Sequence, residues 1–116
     1  MAPRSPVARL ADIIEAIDIV QSELEGISIP ALGADRRKRW VIERGLEIIS
    51  EASRHLPPAM KARHPAIPWA KVAGIGNVLR HEYQHVAHDI LWRVARDSLP
   101  DLDRACRLEL AREEQS

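Results

Sequence analysis

Phenylalanine is absent from this chain, and aromatic residues of all kinds make up only 3% of its 116 positions. The core must therefore be aliphatic, built from Ile, Leu, Val and Ala. That favours helices over a β-sandwich, which draws more heavily on aromatic and β-branched strand residues. Cysteine occurs once, at Cys106, which excludes an internal disulfide. Cys106 reads as a small apolar residue in a reducing compartment. No apolar run approaches membrane length, and the opening Met-Ala-Pro-Arg-Ser-Pro has no hydrophobic signal region. The expectation is a soluble, cytoplasmic protein without membrane contact. An excess of one charge is also missing: 17 Lys and Arg balance 17 Asp and Glu. A strong counterion-release binder of duplex DNA would be basic, so that class is disfavoured. A neutral chain with a pI near 7.0 repels its own copies weakly, so association is easy.

What is present reads as helix. Ser5-Pro6 has the form of an N-cap followed by proline in the first turn. Leu10, Ile13, Ile14, Ile17, Val20 and Leu24 then recur at steps of three and four, and Gly26 ends the run. Residues 27–35 read as a connector, with Pro30 and Gly33, and Asp35 as the next N-cap. The second long helix reaches about Leu56, with Val41, Ile42, Gly45, Ile48, Ile49 and Ala52 on its buried side. Gly45 in mid-helix costs about 1 kcal/mol relative to Ala and implies close approach by another backbone. Arg36, Arg37, Lys38 and Arg39 oppose the macrodipole at its start. They read as a solvated face, or else as a contact for nucleic acid or an acidic partner.

Pro57-Pro58 ends that helix. A short turn over residues 59–63 and a loop at His64-Pro65 follow. Pro68-Trp69 opens a helix that should run to about Tyr83, and His88-Asp89 begins another. Asp97-Ser98-Leu99-Pro100 is expected to break or kink the chain. Leu102, Ala105, Cys106, Leu108 and Leu110 carry a last amphipathic helix, with residues 111–116 polar and frayed. There are no repeats, linkers or second domain. Residues 1–116 form one domain, an all-α, up-and-down bundle of four to five helices.

Groups able to move protons or hold phosphate concentrate in one stretch, where Arg80, His81, Glu82, Tyr83 and His85 fall within six positions. His81, His85 and His88 stand at i, i+4 and i+7, a spacing that could ligate zinc. No fourth ligand is evident, and no metal or cofactor is expected. Trp69 and Trp92 read as core or interface anchors. Gly74 and Gly76 would permit close helix approach at a dimer seam.

The series Ile67-Pro68-Trp69, Ala73-Gly74, Asn77, His81-Glu82-Tyr83, Val86, Asp89-Ile90, Trp92 and Leu99-Pro100 resembles the HepT-like branch of the HEPN superfamily. The stretches from Asp12 to Ile17 and from Leu46 to Ala52 are similar to that family's first two helices, and the resemblance spans about residues 8–111. It implies a HEPN-like bundle acting as a ribonuclease toxin of a type VII-like toxin–antitoxin pair, in which an MNT-type nucleotidyltransferase is the antitoxin. It also implies a homodimer with RNA-cleaving sites at its interface and no need for metal. The motif is Arg, a polar residue, three further residues, His, any residue, Tyr. His81 falls on its acid–base His, Asn77 on its polar position, and Tyr83 on a Tyr that some partners adenylylate. The Arg position is Gly76.

That departure removes a guanidinium that would meet charge developing on the phosphate. Losing one such stabiliser typically costs about 100- to 1000-fold in rate. Three readings stay open. Arg80, adjacent to His81 and about 100° around an ideal helix, substitutes for it. Alternatively the motif slides, so that Arg80 is its Arg and His85 its catalytic His. Or the protein is a weakened or inactive HEPN dimer that serves as a partner of the nucleotidyltransferase. His81 and Tyr83 also have plain structural readings, as a surface or capping His and a packed Tyr.

Overall fold

A serine hydroxyl starts the first helix: Ser5 Oγ accepts the Val7 N–H at 3.2 Å. Helix α1 (Val7–Leu24) buries Leu10, Ile13, Ala16, Ile17, Val20 and Leu24. It stops before Gly26, whose φ of +74° is a left-handed conformation that costs glycine little. The structure is a computed structural model that describes residues 5–82 and 88–115; for residues 80–82 and 88–90 it describes the backbone.

The expected connector is a helix in its own right, α2 (Ile29–Ala34). Ser28 Oγ accepts the Ala31 N–H at 3.2 Å, and Pro30 sits in the first turn, where its missing N–H leaves nothing unpaired. Asp35 then caps α3 (Arg36–Arg54) through Oδ1 to the Lys38 N–H, at 3.0 Å. The basic run at this start is partly neutralised. Lys38 pairs with Glu23 of α1 at 2.8 Å, and Arg39 donates to the Gly33 carbonyl.

Helix α3 buries Ile42, Gly45, Leu46, Ile49 and Ala52. Val41 does not join them; it is 38% exposed, one step off the stripe that Ile42 and Leu46 define. Gly45 is where α1 comes closest. A Cβ there would stand 2.5 Å from Val20 Cγ2 and 3.6 Å from the Ala16 carbonyl oxygen. The short α4 (Pro58–Ala62) and a loop lead to α5 (Trp69–Glu82). The Trp69 Nε1–H donates to the carbonyls of Lys61 (3.0 Å) and His64 (3.1 Å), tying this loop to the start of α5.

Of the expected break or kink over residues 97–100, the chain shows an interruption of α geometry rather than an end to the helix. From His88 the chain is helical through α6 (His88–Arg93), a π-helical turn (Val94–Ser98) and α7 (Leu99–Gln115). A proline ring clashes with the carbonyl four residues back and has no N–H to donate. The wider π turn immediately before Pro100 takes up that conflict without ending the helix. Helix α7 also continues to Gln115 where fraying was expected.

The core forms where α1 packs on α3 and α7, and α3 on α5. Ile13, Ile17, Ile42, Ile49, Leu99 and Cys106 are among its fully buried members. Among the described residues, four long helices and three short ones make an all-α bundle, and there is no strand. No helix of the described residues is long and apolar enough to cross a membrane.

Candidate functional site

Helix α5 carries Asn77, Arg80 and His81, and α3 positions it. Ser50 is buried on α3 and inserts toward α5. Its Oγ donates to the Ala73 carbonyl at 2.7 Å and accepts the Gly76 N–H at 3.0 Å. Arg54, one turn further along α3, donates to the same carbonyl from Nε (3.2 Å) and Nη2 (2.9 Å). Gly76 is thus buried against α3, whereas Gly74 faces open space: a Cβ there would meet nothing within 4 Å. Within one copy of the chain, close helix approach accounts for Gly45 and not for Gly74.

Asn77 is exposed on α5, and residue 81 follows it by one helical turn of backbone. Residues 80 and 81 lie in the last turn of the same helix, beyond the point at which side chains are described. Tyr83 and His85 lie outside the described residues, and so does the three-histidine grouping of His81, His85 and His88. Among the described residues, no group of three or more His, Cys, Asp or Glu side chains could hold a metal ion.

Two polar clusters were not anticipated from the sequence. One is the Ser50–Arg54–Ala73–Gly76 bracket. Its signal is a polar residue, Ser50, inside the apolar stripe of α3, with Arg54 four residues later on the same face. The other surrounds Glu109 on α7, whose side chain is 3% exposed. Arg63 Nη2 approaches Glu109 Oε1 at 2.5 Å, His64 Nε2 lies 2.7 Å from Oε2, and Arg112 is 3.7 Å away. The Arg63 guanidinium, aided by His64 and Arg112, holds the Glu109 carboxyl down at about 2 against the opposing effect of burial. Positions 102, 105, 106 and 109 form the buried stripe, so the expected Leu108 is instead 57% exposed. This cluster ties the loop after α4 to α7 and is structural. Cys106, beside it, is buried, and burial pushes its thiol up to about 12.

A cleft of about 780 Å³ opens where the end of α1 meets the π turn, lined by Asp18, Glu25, Trp92, Arg96 and Pro100 among others. Arg96 lies over the Trp92 ring, 5.6 Å from its centroid. Among the described residues, none of α5 lines this cleft.

Comparison with known proteins bears directly on α5. The family described as Ribonuclease HepT-like matches residues 13–108, which include the whole of α5. The chain is 34% identical over 99 residues to “Probable ribonuclease HepT” of Thermococcus cleftensis, covering 85% of this chain and 90% of that protein. It is 29% identical over 104 residues to “Putative RNase MJ1380” of Methanocaldococcus jannaschii, covering 90% and 95% of the two chains. Over 110 residues it is 29% identical to “Putative RNase TTE0752” of Caldanaerobacter subterraneus, covering 95% and 98%. No solved structure matches it at a significant level. Matched along most of its length, with an all-α bundle behind the match, the chain belongs to the HepT-like ribonuclease family.

Proposed function

We propose that this protein is a metal-independent endoribonuclease toxin that works as a homodimer, with its RNA-cleaving sites where two copies of α5 meet. An MNT-type nucleotidyltransferase is its antitoxin, and Tyr83 is the residue that enzyme modifies. His81 moves the protons. As base it takes the proton of an RNA 2′-hydroxyl, and the freed oxygen attacks the adjacent phosphorus. The bond to the 5′-oxygen breaks, and that oxygen receives a proton from an acid in the same site. The products are a 2′,3′-cyclic phosphate and a 5′-hydroxyl. A His with an ordinary value near 6.5 can serve at either end of this exchange, and the need for a 2′-hydroxyl makes RNA the substrate. Asn77 contributes a hydrogen bond, and Arg80 is a cation for the phosphate. Residue 80 lies one helical turn after residue 76, so both belong to neighbouring positions of one helix face.

The observation that carries this reading is family membership together with exposed Asn77 standing one turn before His81 on a single helix. The test is cleavage of RNA by purified protein with a chelator present. Wild type should cleave, His81→Ala should not, and His85→Ala should retain activity. Equal cleavage by wild type and His81→Ala would overturn the assignment. Loss confined to His85→Ala would support the shifted motif.

Gly76 favours a second reading, an inactive dimer that only binds the nucleotidyltransferase. Gly76→Arg discriminates between the two. A large gain in cleavage would indicate a weakened nuclease, and no gain with partner binding retained would indicate a scaffold. Because Gly76 is buried against Ser50, circular dichroism of this variant belongs to the same experiment.

A further inference from the structure

The family motif places a guanidinium at residue 76, where α5 has none, but α3 brings one to the same turn. Arg54 lies across α5 with two of its N–H groups on the Ala73 carbonyl, at 3.2 and 2.9 Å. A helical side chain leans toward the helix N-terminus and covers the turn before its own Cα. An arginine at 76 would therefore cover the turn containing Ala73, where the Arg54 guanidinium sits. We propose that Arg54 is a catalytic residue that supplies from α3 the phosphate-binding guanidinium missing from position 76. This inference rests on the ribonuclease reading above, and its ligand is the scissile phosphodiester of RNA.

The arrangement suits that role in three respects. Arginine carries five N–H donors in a fixed fork, so two on Ala73 leave three for a phosphate. Arg54 is exposed and makes no ion pair among the described residues. Glu51, which feels its charge, is hydrogen-bonded to His55 at 3.1 Å. The carbonyl contact also fixes the guanidinium before substrate arrives, and preorganisation of this kind makes a cation effective in the transition state. The bracket explains Gly76 as well. Ser50 Oγ accepts the Gly76 N–H at 3.0 Å, and a long side chain at 76 would contend with Ser50 and Arg54 for one turn of α5. Glycine at 76 and arginine at 54 are on this view a matched pair.

Two measurements on the full chain decide the matter. The first is the cleavage rate of an RNA oligonucleotide by wild type, His81→Ala, Arg54→Gln and Arg54→Lys. The second is the salt dependence of binding to the same oligonucleotide made uncleavable by 2′-deoxy substitution. Arg54→Gln should lower kcat by about 100-fold, with a smaller change in KM. It should also reduce the slope of log affinity against log salt by about 0.7, the value for one lost contact to single-stranded phosphate. Arg54→Lys, which keeps the charge but not the fork, should keep the slope and lose most of kcat. Circular dichroism verifies the fold of each variant. An unchanged slope in Arg54→Gln would overturn the proposal whatever the rate, leaving Arg54 as a brace for α5. A changed slope with a wild-type rate in an active enzyme would also overturn it, by moving the contact off the scissile phosphate. If wild type fails to cleave, the nuclease reading falls and the slope alone decides whether Arg54 holds RNA phosphate.

Discussion

A charge stands in the apolar stripe of α7. Glu109 is tolerated there because Arg63, His64 and Arg112 converge on it. Removing the carboxylate leaves Arg63 and Arg112, both reached by solvent, and the more buried His64 without their acceptor, a loss of charged hydrogen bonds that typically costs about 1–3 kcal/mol. Glu109→Ala should therefore lower the unfolding free energy by about that amount in urea titrations. The pH dependence has a definite sign. The carboxyl is depressed from 4.5 to about 2 in the folded chain, so its contribution is complete above the unfolded value. It disappears as pH falls from about 4.5 to about 2, and that part of the acid destabilisation should be missing in Glu109→Gln. Cys106, at 1% exposure and with its thiol pushed up to about 12, should react with a disulfide reagent only as the chain unfolds. Rapid native labelling at neutral pH would show that α7 opens locally.

At the scale of elements, α1 and α3 meet at Gly45. A methyl group there would stand 2.5 Å from Cγ2 of Val20, a fully buried residue that must shift to admit it. The gain of about 1 kcal/mol in helix propensity from Gly45→Ala is thus opposed by overpacking of about 1–3 kcal/mol. The single variant should be destabilised, and combining it with Val20→Ala should recover part of the loss; additive losses would place the strain elsewhere. That a neighbour presses on this face was legible because a glycine in mid-helix needs a reason, but the neighbour is a Val20 methyl and not the expected backbone, whose nearest atom would stand 3.6 Å away. The apolar periods of α1 and α3 and the proline-led start of α5 were legible in the same way. What escaped has physical causes. Pro100 signals a break only if the helix before it keeps α geometry, and the π turn removes that condition. The short α2 has no apolar period to announce it and depends on the Ser28 cap. Leu108 drew attention by its hydrophobicity, although position 109 has the right spacing. The Ser50–Arg54 bracket joins α3 to α5 across 19 to 26 residues of sequence, a relation no local pattern encodes.

At the scale of the whole molecule, the proposed dimer makes a prediction about α5. A formal net charge of zero gives two copies little long-range repulsion to overcome. Val78 is 47% exposed on α5, directly after Asn77 and three positions before His81. An apolar side chain at that place gains from being covered, and the proposed dimer would cover it. In a two-fold interface the same patch is used by both copies, so a residue near the axis faces its own counterpart. A carboxylate at 78 would then be desolvated close to a second carboxylate, a combination strongly unfavourable in a dry interface. Val78→Asp should therefore shift sedimentation equilibrium from dimer toward monomer, and RNA cleavage should fall with it if the site needs both copies. Ile19, 45% exposed on α1, provides the comparison. Ile19→Asp should leave both association and cleavage as in wild type. A Val78→Asp protein that stays dimeric would move the interface off α5. One that becomes monomeric yet cleaves at the wild-type rate would show that a single copy holds a complete site, with Arg54 and His81 of the same chain sufficient for it.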